Sequence, residues 1–312
     1  MIKLGLIGAG RWGRAYIRTI AAMKGVRLDL VASQNPQTAK LVPEGCRVVA
    51  DWMSVAQAPG IQGLIVATPP ALHAEMSKAA IAVGLPVLIE KPLTLSLAEA
   101  IELKNLAAAR RSFVMVDHTH LFSPAFRALS ELGGHLGRLK AMWGEAGNYG
   151  PFRKDADVLW DWGSHDVAMC LDLALRMPEG VKARRTQDLK IEDGIAQSVE
   201  LDLAFPENVL ARVDLSNMLT EKRRRFTAYF DLATMIYDDL APSKLTLYPP
   251  IEPFTRPEGT GEPIDIAPTS PLEQVVHDFA DAIIFEKDDT SNLDQAIAVV
   301  AVLEEAQKLV TS

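Results

Sequence analysis

From residue 2 to about 116, short apolar runs alternate with longer amphipathic stretches, the pattern of parallel strands buried on both faces and joined by helices. Strands are predicted at Lys3 to Ile7, Leu28 to Ala32, Arg47 to Val49, Gly63 to Ala67, Val87 to Glu90 and Phe113 to Val116. Local chemistry marks the helix starts. Asn35-Pro36 and Ser123-Pro124 each set a capping side chain before a proline at the first helical position. Ser96-Leu97-Ala98-Glu99 is a capping-box pattern ahead of an Ala/Leu-rich helix to Arg110.

Past about residue 121 the texture changes. Leu139 to Gly147, Gln197 to Phe205, Val209 to Asn217, Phe226 to Phe230 and Leu245 to Tyr248 read as strands without regular intervening helices, which predicts a largely antiparallel sheet. Pro249 to Pro271 reads as a long surface excursion. A second capping box, Ser270-Pro271-Leu272-Glu273, opens a helix to about Phe285, and Asn292 to Val310 forms a last one. The expected class is α/β: a doubly wound parallel sheet over residues 1–120, then an α+β domain over 121–312 with a large, mainly antiparallel open sheet.

A chain of 312 residues is long enough for two such cores. Its 48% hydrophobic and 23% charged residues disfavour extended disorder, and a net charge of -8 argues against nucleic acid as the main partner. Cys46 and Cys170 make no CxxC pair or disulfide framework, which fits a reducing cytoplasm. Met1-Ile2-Lys3 runs straight into the first strand, leaving no room for a signal peptide, and no apolar run approaches the roughly 20 residues that cross a bilayer. A soluble, unexported protein without a membrane partner is expected.

Gly8-Ala9-Gly10-Arg11-Trp12-Gly13 lies between a strand and a helix, the setting in which a GxGxxG run holds a dinucleotide. Gly8 permits the tight turn, Gly10 lets the backbone approach a pyrophosphate, and Gly13 allows close packing of helix on strand. The first domain is therefore read as a Rossmann domain. The second strand ends Val31-Ala32-Ser33-Gln34-Asn35, without the carboxylate that usually holds the ribose of NAD; Asp29 lies inside the strand. Neutral Ser33 and Gln34, with Arg11 as a counter-charge, tip the choice between NAD and NADP slightly toward NADP.

Ala67-Thr68-Pro69 leaves the fourth strand at its carboxyl end, with His73 following, and Glu90-Lys91-Pro92 leaves the fifth. Doubly wound sheets bind ligands at these ends. Pro92 biases Lys91 to an extended backbone, so that its ammonium projects past the sheet and can bond a reacting oxygen. Asp161 precedes His165 by four residues; if both are helical they share one face, and the aspartate can orient the imidazole or share a substrate with it. Histidine titrates near neutrality, which suits transfer of a hydroxyl proton.

Taken in order, Gly8-x-Gly10-x-x-Gly13, Ala67-Thr68-Pro69 with His73, Glu90-Lys91-Pro92 and Leu159-x-Asp161-x-Gly163-x-His165 resemble the glucose-fructose oxidoreductase and inositol dehydrogenase (Gfo/Idh/MocA) family. The resemblance implies that Lys91 sits between nicotinamide and substrate, that His165 is the acid/base, and that Asp161 contacts substrate or histidine. It also implies a small substrate such as a sugar, polyol, inositol or sugar acid, and a homodimer or homotetramer formed through the open sheet. Thr119, His120, Tyr149, Arg153 and Trp162 are the candidate substrate contacts. Cofactor contacts are expected from Gly8, Gly10, Arg11, Trp12, Gly13, Ser33, Gln34, Ala67, Thr68, Pro69, His73, Glu90 and Lys91. Two departures stand out: Ala156-Asp157 replaces glycines usual before the aspartate-histidine motif, and Asp117-His118-Thr119-His120-Leu121-Phe122 replaces an Arg-rich turn.

Asp117-His118-Thr119-His120 also looks like a metal site, but no further ligands are compelled and none is expected. Lys222-Arg223-Arg224-Arg225 reads as a solvated charge run, and Trp160 and Trp162 as packing. Lys154, beside Arg153, could grip an anion. The expected activity is an NAD(P)-dependent dehydrogenase or reductase acting on CH-OH groups. The competing readings are an NAD-retaining glycosidase of the same fold and a non-catalytic dinucleotide sensor.

Overall fold

The computed structural model describes residues 1–152, 157–191 and 194–311. In chain order the elements are β1 (Ile2–Ile7), α1 (Arg11–Ala22), β2 (Val26–Ala32), β3 (Arg47–Val49), α2 (Met53–Ala56), β4 (Gly63–Val66), α3 (His73–Ala82), β5 (Val87–Glu90), α4 (Leu97–Arg110) and β6 (Val114–Asp117). Then come α5 (Pro124–Gly133), β7 (Leu139–Tyr149), α6 (Val158–Asp161), α7 (Gly163–Ala174), β8 (Gly180–Ile191), β9 (Gly194–Phe205), β10 (Val209–Ser216) and β11 (Met218–Phe230). The chain continues through β12 (Thr234–Asp238), β13 (Leu245–Tyr248), β14 (Glu262–Pro263), α8 (Pro271–Ile284) and α9 (Ser291–Thr311). It divides into two compact units, residues 1–119 with 270–300 and residues 120–269 with 301–312.

The first unit carries a six-stranded parallel sheet in the order β3-β2-β1-β4-β5-β6. Every residue of β4, β5 and β6 is buried, which is why these strands show as unbroken apolar runs rather than alternations. α1 buries Gly13, Tyr16, Ile17 and Ile20, a single stripe at helical spacing. The segment 270–300 belongs to this unit, although the chain reaches it only after the second sheet. Phe279 of α8 stacks near Phe113 at 6.5 Å, and with Ile283 it crowds Gly63, where a Cβ would meet Ile283 at 2.6 Å. At the start of α9 the Asn292 amide closes the edge of β6, accepting from the Val116 N–H at 2.6 Å and donating to its carbonyl at 3.2 Å.

The second unit is built on an eight-stranded sheet, β14-β13-β12-β11-β7-β10-β9-β8. All its pairings are antiparallel except β7 with β10, which run parallel. Residues facing α7, such as Gly144, Val213 and Leu215, are small or apolar. Those on the opposite face form a ladder of ion pairs and polar bonds, including Arg212–Asp202 at 3.1 Å and Trp143 Nε1 donating to Asp214 at 2.7 Å. β8, β12 and β14 were not read from the sequence. β8 is mostly exposed and carries Lys, Arg, Thr, Gln and Asp, so it lacks the apolar period that marks a half-buried strand.

The helices start where the sequence places them, but the caps differ. Asn35 accepts from the Gln37 amide at 2.9 Å as expected. Ser96, Ser123 and Ser270 are extended N-cap residues without a side-chain cap hydrogen bond. The Ser96 carbonyl accepts from Thr94 Oγ1 at 2.7 Å. No helix among the described residues is long and apolar enough to cross a membrane.

Candidate active site

The glycine turn between β1 and α1 has the shape its spacing predicts. Gly8 has φ +97°, and a Cβ there would lie 2.4 Å from the Ala67 carbonyl oxygen. A Cβ at Gly13 would lie 2.0 Å from the Gly8 carbonyl oxygen. Gly10 is different: nothing stands within 4 Å of where its Cβ would be. It faces open space at the N-terminus of a 12-residue helix whose first turn holds no acidic residue. The amides of Arg11, Trp12 and Gly13 have no acceptor within the helix, and the dipole adds positive potential. This cradle fits a pyrophosphate.

The contrast yields a prediction. Gly10→Ala should leave the melting temperature nearly unchanged yet weaken dinucleotide binding at least about tenfold, or ~1.4 kcal/mol, by titration. Gly13→Ala should destabilise the fold by roughly 1–3 kcal/mol, because helix and turn must separate.

Ser33 follows β2, its hydroxyl 2.8 Å from Thr38 Oγ1 and accepting from the Asn35 amide at 3.2 Å. Gln34 is exposed, as are Arg11 and Trp12. Asp29 is taken by Arg27 at 2.7 Å, which removes the nearest carboxylate of that strand. At the end of β4, Ala67 is buried, Pro69 is exposed, and Thr68 Oγ1 is buried without a hydrogen-bond partner. His73 is wholly buried, with Nδ1 2.8 Å from the Pro92 carbonyl and Nε2 2.9 Å from the Thr68 carbonyl. It braces the two loops against each other, and burial holds its pKa down.

Glu90 ends β5 and Lys91 follows; both are buried. Burial, then the neighbouring charge of Asp117, drives the Glu90 carboxyl well above its ordinary range. His118 is enclosed and pushed down to about 3, first by burial and then by Lys91, so it is neutral.

In the second unit, Asp161 closes the one-turn helix α6 and His165 lies in the first turn of α7. The two are on consecutive helices broken at Trp162, not on one face of a single helix as the spacing suggested. Asp157, which replaces a familiar glycine, caps α6 by accepting from the Trp160 amide at 3.1 Å. His120 meets His165 edge to face, the ring centroids 4.9 Å apart at 87°. His120 Nδ1 lies 2.8 Å from the Tyr237 hydroxyl. Trp162 is buried, and the Arg224 guanidinium stands 5.0 Å from its ring centroid, a cation–π contact.

The basic run is therefore not simply solvated: Arg223 pairs with buried Glu145 at 3.3 Å and Arg225 with Asp238 at 3.1 Å, leaving strand alternation to turn Arg224 the other way. Trp160 packs in the interior with its indole donating to Gln307 at 3.1 Å. Thr119, in the first unit, donates to Asp117 at 2.8 Å. Tyr149 is 73% exposed and stacks edge-on with Phe152, while Arg153 and Lys154 fall outside the described residues.

The sequence reading missed Asp166, Tyr237 and Tyr16, which look like ordinary core or surface positions in isolation. Asp166 lines a small cavity with His120, Glu145, Arg224 and Tyr237. Burial raises its carboxyl from 3.8 to about 7. A raised carboxyl favours the folded state fully below 3.8 and loses that advantage as pH rises to about 7, a span worth a few kcal/mol at roughly 1.4 per unit. Asp166→Asn should remove this part of the decline, so that denaturation midpoints measured between pH 4 and 7 become flatter than in the wild type.

The glycine turn on a doubly wound sheet places the chain among the NAD(P)-binding oxidoreductases. A family model described as an oxidoreductase family with an NAD-binding Rossmann fold matches residues 2–118. A crystal structure from Magnetospirillum magnetotacticum MS-1, named only as an oxidoreductase, is 44% identical and superposes with a TM-score of 0.92 over 97% of this chain and 98% of its own. The chain belongs to the Gfo/Idh/MocA family. UDP-N-acetylglucosamine 3-dehydrogenase of Acidithiobacillus ferrooxidans is 25% identical over 90% of this chain and 88% of its own length. Inositol 2-dehydrogenase 4 of Saccharopolyspora erythraea is 32% identical, but over 44% of this chain and 43% of its own length.

Proposed function

We propose that the protein is an NAD(P)-dependent dehydrogenase or reductase acting on a CH-OH carbon of a sugar, polyol, sugar acid or related small molecule. The observation that carries this is the glycine turn, closed everywhere except at Gly10. A bound dinucleotide supplies the hydride acceptor or donor. In oxidation His165 is the group to take the proton from the reacting hydroxyl, and the Lys91 ammonium is the donor for an oxygen on which negative charge develops. Asp161 orients His165 or holds a neighbouring hydroxyl, and His120 and Trp162 shape the substrate wall.

The end of β2 offers no carboxylate beyond the paired Asp29, and Arg11 is exposed at the cradle, so NADP is the preferred partner by a small margin. The charged open face of the second sheet is the surface through which we expect the protein to form a homodimer or homotetramer in the cytoplasm.

The test is direct. NAD(H) and NADP(H) are titrated by fluorescence, and the tighter one is used in a turnover panel of sugars, inositols, polyols, sugar acids and nucleotide-linked sugars. Substrate-dependent change in nicotinamide absorbance supports the reading. Glycosidic cleavage with a retained cofactor and no net absorbance change would assign the protein to a redox-assisted glycosidase, and absent dinucleotide binding would end the proposal.

A further inference from the structure

The ends of β5 and β6 hold a cluster that the function above does not use. Glu90 and Asp117 are cross-strand partners, 4% and 0% exposed. Tyr16, from α1, donates its hydroxyl to Asp117 Oδ2 at 2.6 Å, and Thr119 Oγ1 donates to Asp117 Oδ1 at 2.8 Å. Each Asp117 oxygen thus has a donor, the environment that keeps a carboxylate ionised. Glu90 is placed otherwise: its Oε1 is buried with no hydrogen-bond partner. The Tyr16 hydroxyl has one proton, already given to Asp117, and leaves none for Glu90. A bare carboxylate oxygen in the interior is costly, and a carboxylic acid much less so.

We propose that Glu90 carries a proton in the resting protein, that Asp117 is the ionised member, and that this cluster sets a single negative charge beside Lys91 and so positions its ammonium. Burial raises both carboxyls; the charge of Asp117 raises Glu90 further, while the Tyr16 and Thr119 hydrogen bonds draw Asp117 back down. The other titratable groups at these strand ends are Lys91 on the same strand, His118 after β6 and His73 on α3. Both histidines are held low by burial and do not compete for the proton near neutral pH. Two ionised carboxylates would place a second negative charge beside Lys91, and two protonated ones would leave it none.

The test needs no substrate. Protein labelled with ¹³C in glutamate alone, which moves the glutamate carboxyl bands away from that of Asp166, is examined by infrared spectroscopy without ligand. A protonated-carboxyl C=O band is expected at pH 7, absent in Glu90→Gln and displaced to lower pH in Asp117→Asn, where the like charge is gone. No such band in folded wild type at neutral pH, or a band that survives Glu90→Gln, overturns the proposal; if Glu90→Gln does not fold, an unmoved band in Asp117→Asn does so.

A kinetic arm rests on the role proposed for Lys91. Tyr16→Phe should lower kcat about tenfold, the worth of one pKa unit, and displace its pH profile while dinucleotide affinity holds. An unmoved profile removes the positioning role. If no substrate is turned over at all, the functional reading above fails while the infrared result still decides the protonation.

Discussion

Lys91→Ala should lower kcat by about 10²–10³ while the dissociation constant of the dinucleotide stays close to that of the wild type. The magnitude is that of removing one donor aimed at a developing oxyanion inside a site from which water is excluded. Lys91 is well suited to that duty because it is buried, where a full charge acts through less screening than at the surface. It follows β5 directly, so the rigid sheet fixes its backbone. Steady-state kinetics in both directions, with fluorescence titration of the cofactor and a thermal melt as a control for folding, check the expectation. Loss of dinucleotide affinity in parallel with turnover would recast Lys91 as a cofactor anchor. Unchanged turnover would remove it from the mechanism.

Lys91→Arg is the sharper companion. It keeps the charge but replaces a compact ammonium with a planar fork that needs more room and different geometry. At a buried position beside two carboxyl groups it should fail to restore the rate.

Much of this site was legible in the sequence because its parts lie where chain direction changes. A glycine turn, a Thr-Pro turn and a Lys-Pro turn each end a buried strand, and a strand reads clearly when most of its residues are apolar. Arg47 to Val49, Val87 to Glu90 and Leu245 to Tyr248 are found with the predicted bounds. The parts that were not legible depend on pairing in space. Tyr16 belongs to the apolar stripe of α1 and looks like one more core aromatic until its hydroxyl is seen on Asp117, a hundred residues away. Asp117 itself reads as a loop residue, since the apolar run stops at Val116, yet it is the last residue of β6 and fully buried.

The same holds for Arg224. In a run of four cations nothing distinguishes it, but strand alternation sends Arg223 and Arg225 to one face and Arg224 toward Trp162 on the other. Segment 270–300 shows the limit from another side. Its capping pattern and helical period are clear in the sequence, while its attachment to the first unit rests on Asn292 reaching β6 and on Phe279 against Gly63. No local pattern encodes such long-range closure.

His165→Gln should lower turnover by about 10²–10⁴, the usual worth of a positioned acid/base. The pH dependence distinguishes this from mere loss of a contact. In oxidation the imidazole must be neutral to accept the hydroxyl proton, so the wild-type rate should fall as pH drops below the imidazole pKa, ordinarily near neutrality. In reduction it must be protonated to give that proton back, so the rate should fall as pH rises through the same value. Both limbs should vanish in His165→Gln, leaving a slow, pH-insensitive reaction across that range. His120→Gln supplies the control, because its ring touches His165 edge-on and accepts or donates at Tyr237. It should shift the limb without abolishing it. Were the limbs to persist in His165→Gln and disappear in His120→Gln, the proton would belong to the residue that stands where the family's Arg-rich turn would be, and the roles of the two histidines would have to be exchanged.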